Sequence, residues 1–386
     1  MTFQKTLKDD CQICTRCVMD TTDTGITFDL DGVCNHCHEF DEITSKLWFP
    51  NEEGAKRLSV IIDCIRAAGV NQTYDCIIGL SGGMDSCYLA LKVHEWGLRP
   101  LVVHVDAGWN SELAVANIEK VVKYCGYHLH THVVDWGEMR DLQLAYLRAG
   151  VANQDVPQDH VFFASMYHFA IQHRIKYILT GGNITTECIS PKSWHGSAMD
   201  AINLKAIHRK YGERALKTYN PISFFQCYIG YPFLKGMRTV RPLNYVPYNQ
   251  EAAIDEMERL VGWRSYGRKH GESIFTKLFQ NYYLPVKFDY DKRKPHLSSL
   301  IVTGQLTREE ALRKLEEPLY DPLELERDIE YFCKKMKISR KQFEEFINAP
   351  SRHYTDFPNW EGRYRALKWI QSLAARLFGR EIKVYS

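Results

Sequence analysis

An α/β protein built on a doubly wound parallel sheet is the fold that this 386-residue sequence predicts, and three observations predict it. Between residues 75 and about 250, short apolar runs rich in strand formers alternate with stretches of helical periodicity. One such run, Cys76 to Leu80, breaks into Ser81-Gly82-Gly83, and a helical pattern opens at Met84 with Leu89, Leu91 and Val93 following. A strand, a glycine turn and a helix start make an anion site, because glycines admit a close backbone approach while Ser81, Ser86 and the first helical amides supply donors. Polar punctuation also follows two later strands, at Asp106-Ala107-Gly108 and Gly181-Gly182-Asn183, where ligands of such sheets gather.

Composition sets the outer bounds. With 45% hydrophobic and 25% charged residues the chain reads as an ordinary globular protein of two or three domains. Lys and Arg total 49 against 47 Asp and Glu, so no basic field points to nucleic acid. No apolar stretch approaches a membrane span and no signal-peptide pattern opens the sequence, so a cytoplasmic location without a transmembrane segment is expected. Twelve cysteines in such a chain are expected to stay reduced or to bind metal.

The first unit, residues 1–50, holds Cys11, Cys14, Cys17, Cys34 and Cys37. Two Cys-x-x-Cys pairs flank sixteen residues that contain the turn signal Asp29-Leu30-Asp31-Gly32. This is the spacing of a zinc ribbon, in which four thiolates close a structural tetrahedral site. Both Cys11/Cys14 and Cys14/Cys17 have the right gap, and His36 and His38 stand nearby as further ligand candidates. A linker and an amphipathic helix with Leu58, Ile61, Ile62 and Ile65 on one face lead to the loop strand.

The second unit, 51–262, carries the sheet. Strands are expected at 101–105, 128–134 and 177–180, and helices at 111–125 and 161–173. From Asn183 to Val240 the pattern loosens into an aromatic-rich insertion, with Glu187, His195, Lys205, His208 and Arg209 among Trp194, Tyr219, Phe224, Phe225, Tyr228, Tyr231 and Phe233. Glu187 and Trp194 are candidates for substrate binding, the aromatics serving either as a stacking surface or as core. Arg241-Pro242-Leu243 reads as the last strand and 249–261 as the closing helix.

The third unit, 263–386, is mostly helical. Its first part is dense in polar groups. Lys292 and Arg293 are candidate catalytic cations for phosphate, Lys269 and His270 candidates for substrate, and His270 or Glu272 candidates for moving protons. Helices follow at 323–337 and 339–347, then a basic amphipathic one at 360–378.

Four stretches together resemble a known family: Ile13-Cys-Thr-Arg-Cys-Val-Met-Asp20, Gly32-Val-Cys-Asn-His-Cys37, Tyr74 to Ser86, and His296-Leu-Ser-Ser-Leu-Ile301. They look like the WbpG-like and PseA-like N-acetyl sugar amidotransferases of bacterial lipopolysaccharide (O-antigen) and flagellin-sugar biosynthesis. The Ser-Gly-Gly-x-Asp-Ser wording of the loop resembles the signature of the ATP pyrophosphatases, the PP-loop branch of the adenine-nucleotide alpha-hydrolase (HUP) fold. It lacks the Gly-Lys-Ser/Thr ending of a Walker loop. The resemblance covers most of the chain, up to Thr307-Arg-Glu-Glu-Ala311.

That resemblance implies ATP split to AMP and pyrophosphate with magnesium (Mg2+), and an acetamido group of an N-acetylated, nucleotide-linked sugar converted to acetamidino with ammonia. It implies that Ser81, Gly82, Gly83, Met84, Asp85 and Ser86 hold the nucleotide, that Asp106, Gly181 and Gly182 border the adenosine, and that Ser81 and Asp85 serve catalysis. It also implies Cys14, Cys17, Cys34 and Cys37 as the ligands of a structural zinc (Zn2+). Because no Gly-x-Cys-x-Gly elbow occurs and Thr2 follows Met1, a separate glutaminase with an ammonia-channel subunit is the expected partner. The alternatives are a tRNA-thiolating PP-loop ATPase, using Cys76, Cys87, Cys125 or Cys188 as sulfur carrier, and a non-catalytic nucleotide-binding scaffold.

Overall fold

The structure, a computed structural model, describes residues 11–267 and 271–378. Its five strands are β1 (Cys76–Gly79), β2 (Pro100–Asp106), β3 (Leu129–Val133), β4 (Tyr177–Leu179) and β5 (Arg238–Val240). They form one wholly parallel sheet in the order β3-β2-β1-β4-β5. The central strands are covered on both sides, which is why β1 and β4 read as unbroken apolar runs and β2 as one interrupted only by His104 before its terminal Asp106. β3, at the edge, is mostly exposed and carries His130 and His132.

Successive residues of β1 serve opposite cores. Ile78 faces the helices Glu52–Gly69, Met84–Glu95, Glu112–Cys125 and Gln250–Val261, where it joins Ile62, Leu89, Val121 and Met257. Ile77 faces Trp136–Ala149, Val156–Gln172 and Ala201–Tyr211, with Met139, Leu142, Ala164 and Leu204. Helices on both faces of a parallel sheet make the doubly wound class expected from the sequence. β1 turns toward β2 on one side and neighbours β4 on the other, so the strand order reverses between β1 and β4.

The structure moves some expected elements. The last strand lies at Arg238–Val240, not at Arg241–Leu243, which enter a 3-10 turn over Pro242–Tyr245. Pro242 has no N–H to give a ladder. A helix not anticipated, Trp136–Ala149, fills the stretch before the next crossover. Its ends are conventional, with Asp135 accepting from the Glu138 N–H and Gly150 left-handed at φ +67°. Its apolar residues spread over more than one face because both the sheet core and the C-terminal core bury them, and this blurs the periodicity. The crossover helix begins earlier than expected, at Val156.

The cysteine-rich segment is short on regular structure, with antiparallel bridges Ile13↔Asp20 and Phe28↔Cys34. It is clamped by the C-terminal region. Arg308 donates to the carbonyls of Cys14 and Cys17, the Val18 N–H donates to Ser298 Oγ, and Lys294 pairs with Asp20 in a buried position. Ser299 Oγ accepts from Ile189 N–H, so the His296–Ile301 stretch clips the cysteine segment to the insertion after β4. Among the described residues no helix is long and apolar enough to cross a membrane.

Candidate active site at the carboxyl edge of the sheet

The phosphate loop follows β1 directly. Gly82 is left-handed at φ +86°, and a Cβ there would lie 2.7 Å from the Ala114 carbonyl. Only glycine fits, because the loop rests on the Glu112–Cys125 helix. Within the loop Ser81 Oγ and Ser86 Oγ stand 3.0 Å apart, and Ser81 Oγ accepts from the Gly83 N–H at 3.2 Å. No side chain caps the Met84–Glu95 helix, whose first-turn amides have no intrahelical acceptor. Two hydroxyls, a glycine backbone and an uncapped helix start form the cradle that a phosphate group requires.

Residues far away in sequence hold this cradle. The Gly82 carbonyl accepts from Trp263 Nε1 at 3.2 Å and from the Tyr266 hydroxyl at 2.8 Å. Asp85 accepts from Asn183 Nδ2 at 3.0 Å and from the Tyr248 hydroxyl at 2.5 Å. Burial, then the Asp85 charge, pushes the Tyr248 phenol well above its ordinary value, so it stays a donor. Gly83 is the N-cap position and Asp85 lies inside the first turn, so Asp85 is not the helix cap.

The turns after β2 and β4 close the site from either side. A Cβ at Gly181 would fall 2.7 Å from the Asp85 carbonyl oxygen, and one at Gly182 would fall 3.4 Å from Glu187 Oε2. Glu187 therefore lies beside the Gly181-Gly182 turn. Asp106 accepts from the Gly108 N–H at 2.7 Å and from Asn110 Nδ2 at 3.1 Å. His104 donates from Nδ1 to the Leu80 carbonyl, and its Nε2 accepts from the same Asn110 amide. This ties the end of β1 to the turn after β2. That turn pairs with the C-terminal region, since Ser111 N–H donates to the Glu272 carbonyl and Ile274 N–H to the Trp109 carbonyl. The pairing carries the Glu272 side chain over the loop, 3.0 Å from where a Gly83 Cβ would stand. The loop motif does not point to Trp263, Tyr266 or Tyr248, and Glu272 stands out in sequence only as a candidate for moving protons. They are aromatic or acidic residues without a motif, and only their tertiary placement ties them to the loop.

Arg293 does not take its expected role, and the ring of Trp194 proves to be core. Arg293 directs its donors at the Asp291 carboxylate and the carbonyls of Lys314, Leu315 and Glu317, closing the end of the Arg308–Glu316 helix. All five of its N–H groups are used, so none remains for phosphate. Trp194 is 2% exposed, stacks on Tyr290 at 4.5 Å and packs against the four cysteines, so its ring is core and not an open stacking surface. Tyr228 likewise packs against Trp360 and Tyr364, and Tyr231 against Tyr167. Lys292 lies near His195, whose pKa is brought down to about 4 by burial with that charge helping. Lys269 and His270 lie outside the described residues.

The sulfurs of Cys14, Cys17, Cys34 and Cys37 all lie within 4.8 Å of one another, and all four residues are fully buried. Three of the separations are 3.9, 3.7 and 3.7 Å, close to the roughly 3.8 Å edge of a tetrahedron with Zn–S near 2.3 Å. Backbone N–H groups of Arg16, Cys17, Met19 and Cys34 point at these sulfurs, as thiolate ligands require. Cys11 instead donates to Asp20, His36 pairs with Asp23 and His38 with Asp29. The four-cysteine set can hold a metal ion. Burial raises Cys76, takes Cys87 and Cys125 up to about 12, and leaves no activated thiolate among these three.

With the geometry in hand, comparison with known proteins adds the family. Residues 272–371 match the model described as "LPS biosynthesis protein WbpG-like, C-terminal domain". The chain carries a WbpG-like C-terminal domain. This bears out the WbpG-like family read from its motifs, and the domain begins at Glu272, the residue over the phosphate loop. No curated protein matches the chain. Among solved structures, NMN synthetase from Francisella tularensis is similar at 14% identity and a TM-score of 0.34, covering 75% of this chain and 97% of that one. NAD+ synthetase from Burkholderia pseudomallei is similar at 17% identity and a TM-score of 0.28, covering 58% and 94%. NH3-dependent NAD synthetase from Campylobacter jejuni is similar at 13% identity and a TM-score of 0.30, covering 78% and 98%. Scores this low carry no argument, and the fold class rests on the strand order and the loop.

Proposed function

We propose that this WbpG-like protein is an ATP-dependent amidotransferase that converts an acetamido group of an N-acetylated, nucleotide-linked sugar to acetamidino, in lipopolysaccharide or related glycan biosynthesis. One observation carries the reading: the WbpG-like domain enters the phosphate site itself, through Glu272. An amide carbon resists ammonia because its nitrogen donates into the carbonyl, so its oxygen must first become part of a leaving group. The acetamido oxygen attacks the alpha phosphate of ATP and pyrophosphate departs into the Ser81–Ser86 cradle. Ammonia then adds to the activated carbon, a proton is lost, and AMP leaves with the former amide oxygen.

Ser81, Ser86, the glycine backbone and the first amides of the Met84–Glu95 helix stabilise the departing pyrophosphate. Asp85, oriented by Tyr248 and Asn183, and Glu272 are carboxylates beside an anion site, an arrangement that suits a bridging cation. Magnesium held there would neutralise phosphate charge. Zinc on the four cysteines has no open position and serves folding. A separate glutaminase supplies the ammonia.

Substrate labelled with heavy oxygen in the acetamido group, incubated with ATP and ammonium and followed by mass spectrometry, is expected to yield labelled AMP and unlabelled pyrophosphate. ADP as product, or label in phosphate, would sink the reading.

A further inference from the structure

A second cavity lies on the same side of the sheet. Residues 151–156 open the Val156–Gln172 helix, which descends into β4, and residues 193–200 follow the end of β4, so both segments stand at the carboxyl side of the strands. Between them is a cavity of about 220 Å3, the share of about seven waters in the liquid. Trp194, His195 and Tyr290 line it together with Tyr146, Asn153 and Arg352.

Two of these side chains have a donor with no partner. The Tyr146 hydroxyl and the Trp194 Nε1–H are both buried and unbonded, and the phenol of Tyr146 is raised well above its ordinary value by burial, so it keeps its proton. Leaving a buried polar group unpaired is costly, and two lining one cavity point to a ligand with acceptor oxygens. The charged groups around the cavity hold hydrogen bonds of their own. Asp200 accepts from the N–H groups of Ile202, Asn203 and Trp360, and Arg352 donates to the Tyr211 hydroxyl. Burial, helped by Lys292, holds His195 neutral near pH 7.

A chain of neighbouring residues leads from the cavity toward the phosphate loop. Lys292 faces His195, and His296, four residues on, contacts the Thr186 carbonyl. Four residues of helix span about 6 Å, and Glu187, next to Thr186, reaches the Gly182 turn.

We propose that this cavity receives the sugar ring of the substrate, with the Tyr146 hydroxyl and the Trp194 N–H donating to its hydroxyl or acetamido oxygens. The proposal rests on the sugar amidotransferase reading above. The nucleotide carrier is too large for this space and stays outside it.

The test uses the full-length protein and a uridine-diphosphate-linked 2,3-diacetamido pyranose, with binding followed by equilibrium dialysis and amidine formation by mass spectrometry. Tyr146→Phe removes only an unpartnered hydroxyl, so its melting temperature should equal or exceed the wild-type value, while sugar affinity and KM worsen roughly tenfold. Ala152→Leu, which fills the cavity, should weaken sugar binding further, with retained metal content as the check on folding. Amidine formation with unchanged KM in both variants would overturn the cavity assignment and leave the enzymatic reading standing. Binding that Tyr146→Phe weakens, without any amidine product, would support the cavity as a sugar site and overturn the reaction. Absence of both binding and product would overturn both.

Discussion

Gly181 and the start of the loop helix are in backbone contact, and that contact depends on the absence of a side chain. A Cβ at Gly181 would meet the Asp85 carbonyl oxygen at 2.7 Å and the Ser86 nitrogen at 3.0 Å, all of it main chain that cannot rotate away. Gly181→Ala is therefore expected to push the helix start off its position, costing about 1–3 kcal/mol and lowering the rate of pyrophosphate release on the order of 100-fold. Gly126→Ala is the control. That residue also sits at positive φ but meets nothing within 4 Å, so it should cost about 1 kcal/mol of stability with the rate preserved. Equal rate losses in the two variants would refute the contact argument. Glu272 illustrates the complementary case, a single carboxylate whose importance comes from its neighbours. Sequence offers it only as one candidate for moving protons in a dense polar stretch, whereas the pairing of Ser111 and Ile274 across it sets it over Gly83.

At the scale of elements, polar side chains on one helix organise the irregular insertion after β4. Glu138 accepts from the N–H groups of Lys217, Thr218 and Tyr219 and from the Thr218 hydroxyl. Asp141 does the same for Glu213 and Arg214. Burial raises the Glu138 carboxyl, but these hydrogen bonds outweigh it and hold the group below its ordinary range. A depressed carboxyl stabilises the fold above its unfolded pKa, near 4.3, and that contribution disappears as pH falls through the folded value. Glu138→Gln should thus cost about 2 kcal/mol near pH 7, measured by denaturant unfolding, with the gap to wild type closing below pH 4. A gap that does not depend on pH would contradict the role. The cysteine segment is a second such element. It has little regular structure, and Arg308, Ser298 and Lys294 grip it at its knuckle. Cys34→Ser should lose the metal and soluble yield together, as read by metal analysis; a soluble variant with full metal content would show that this cysteine is no ligand.

At the scale of the whole molecule, the phosphate cradle belongs to the sheet, and the C-terminal half reaches over it through Glu272. The described cysteines include no glutaminase-type elbow, and the isolated protein is expected to use ammonium and to ignore glutamine. Glutamine-dependent turnover by the purified chain would contradict that division of labour. Sequence alone determined the parallel sheet, the loop from Ser81 to Ser86 and the cysteine pairs, since each is written in a few adjacent residues: strand runs, glycines at a helix start, a two-residue gap between thiols. It left five cysteines competing for four places, offered Arg293 as a candidate phosphate ligand, and left Trp194 open between a stacking surface and core. Only the tertiary structure decided these. Cys11 is drawn off by Asp20, Arg293 is consumed by a helix end more than twenty residues away, and the face of Trp194 is covered by Tyr290. Local backbone geometry leaves a periodic or spaced signature in sequence. A hydrogen bond or a stacked pair between distant segments leaves none, because any residue of the right chemistry reads the same until packing chooses its partner.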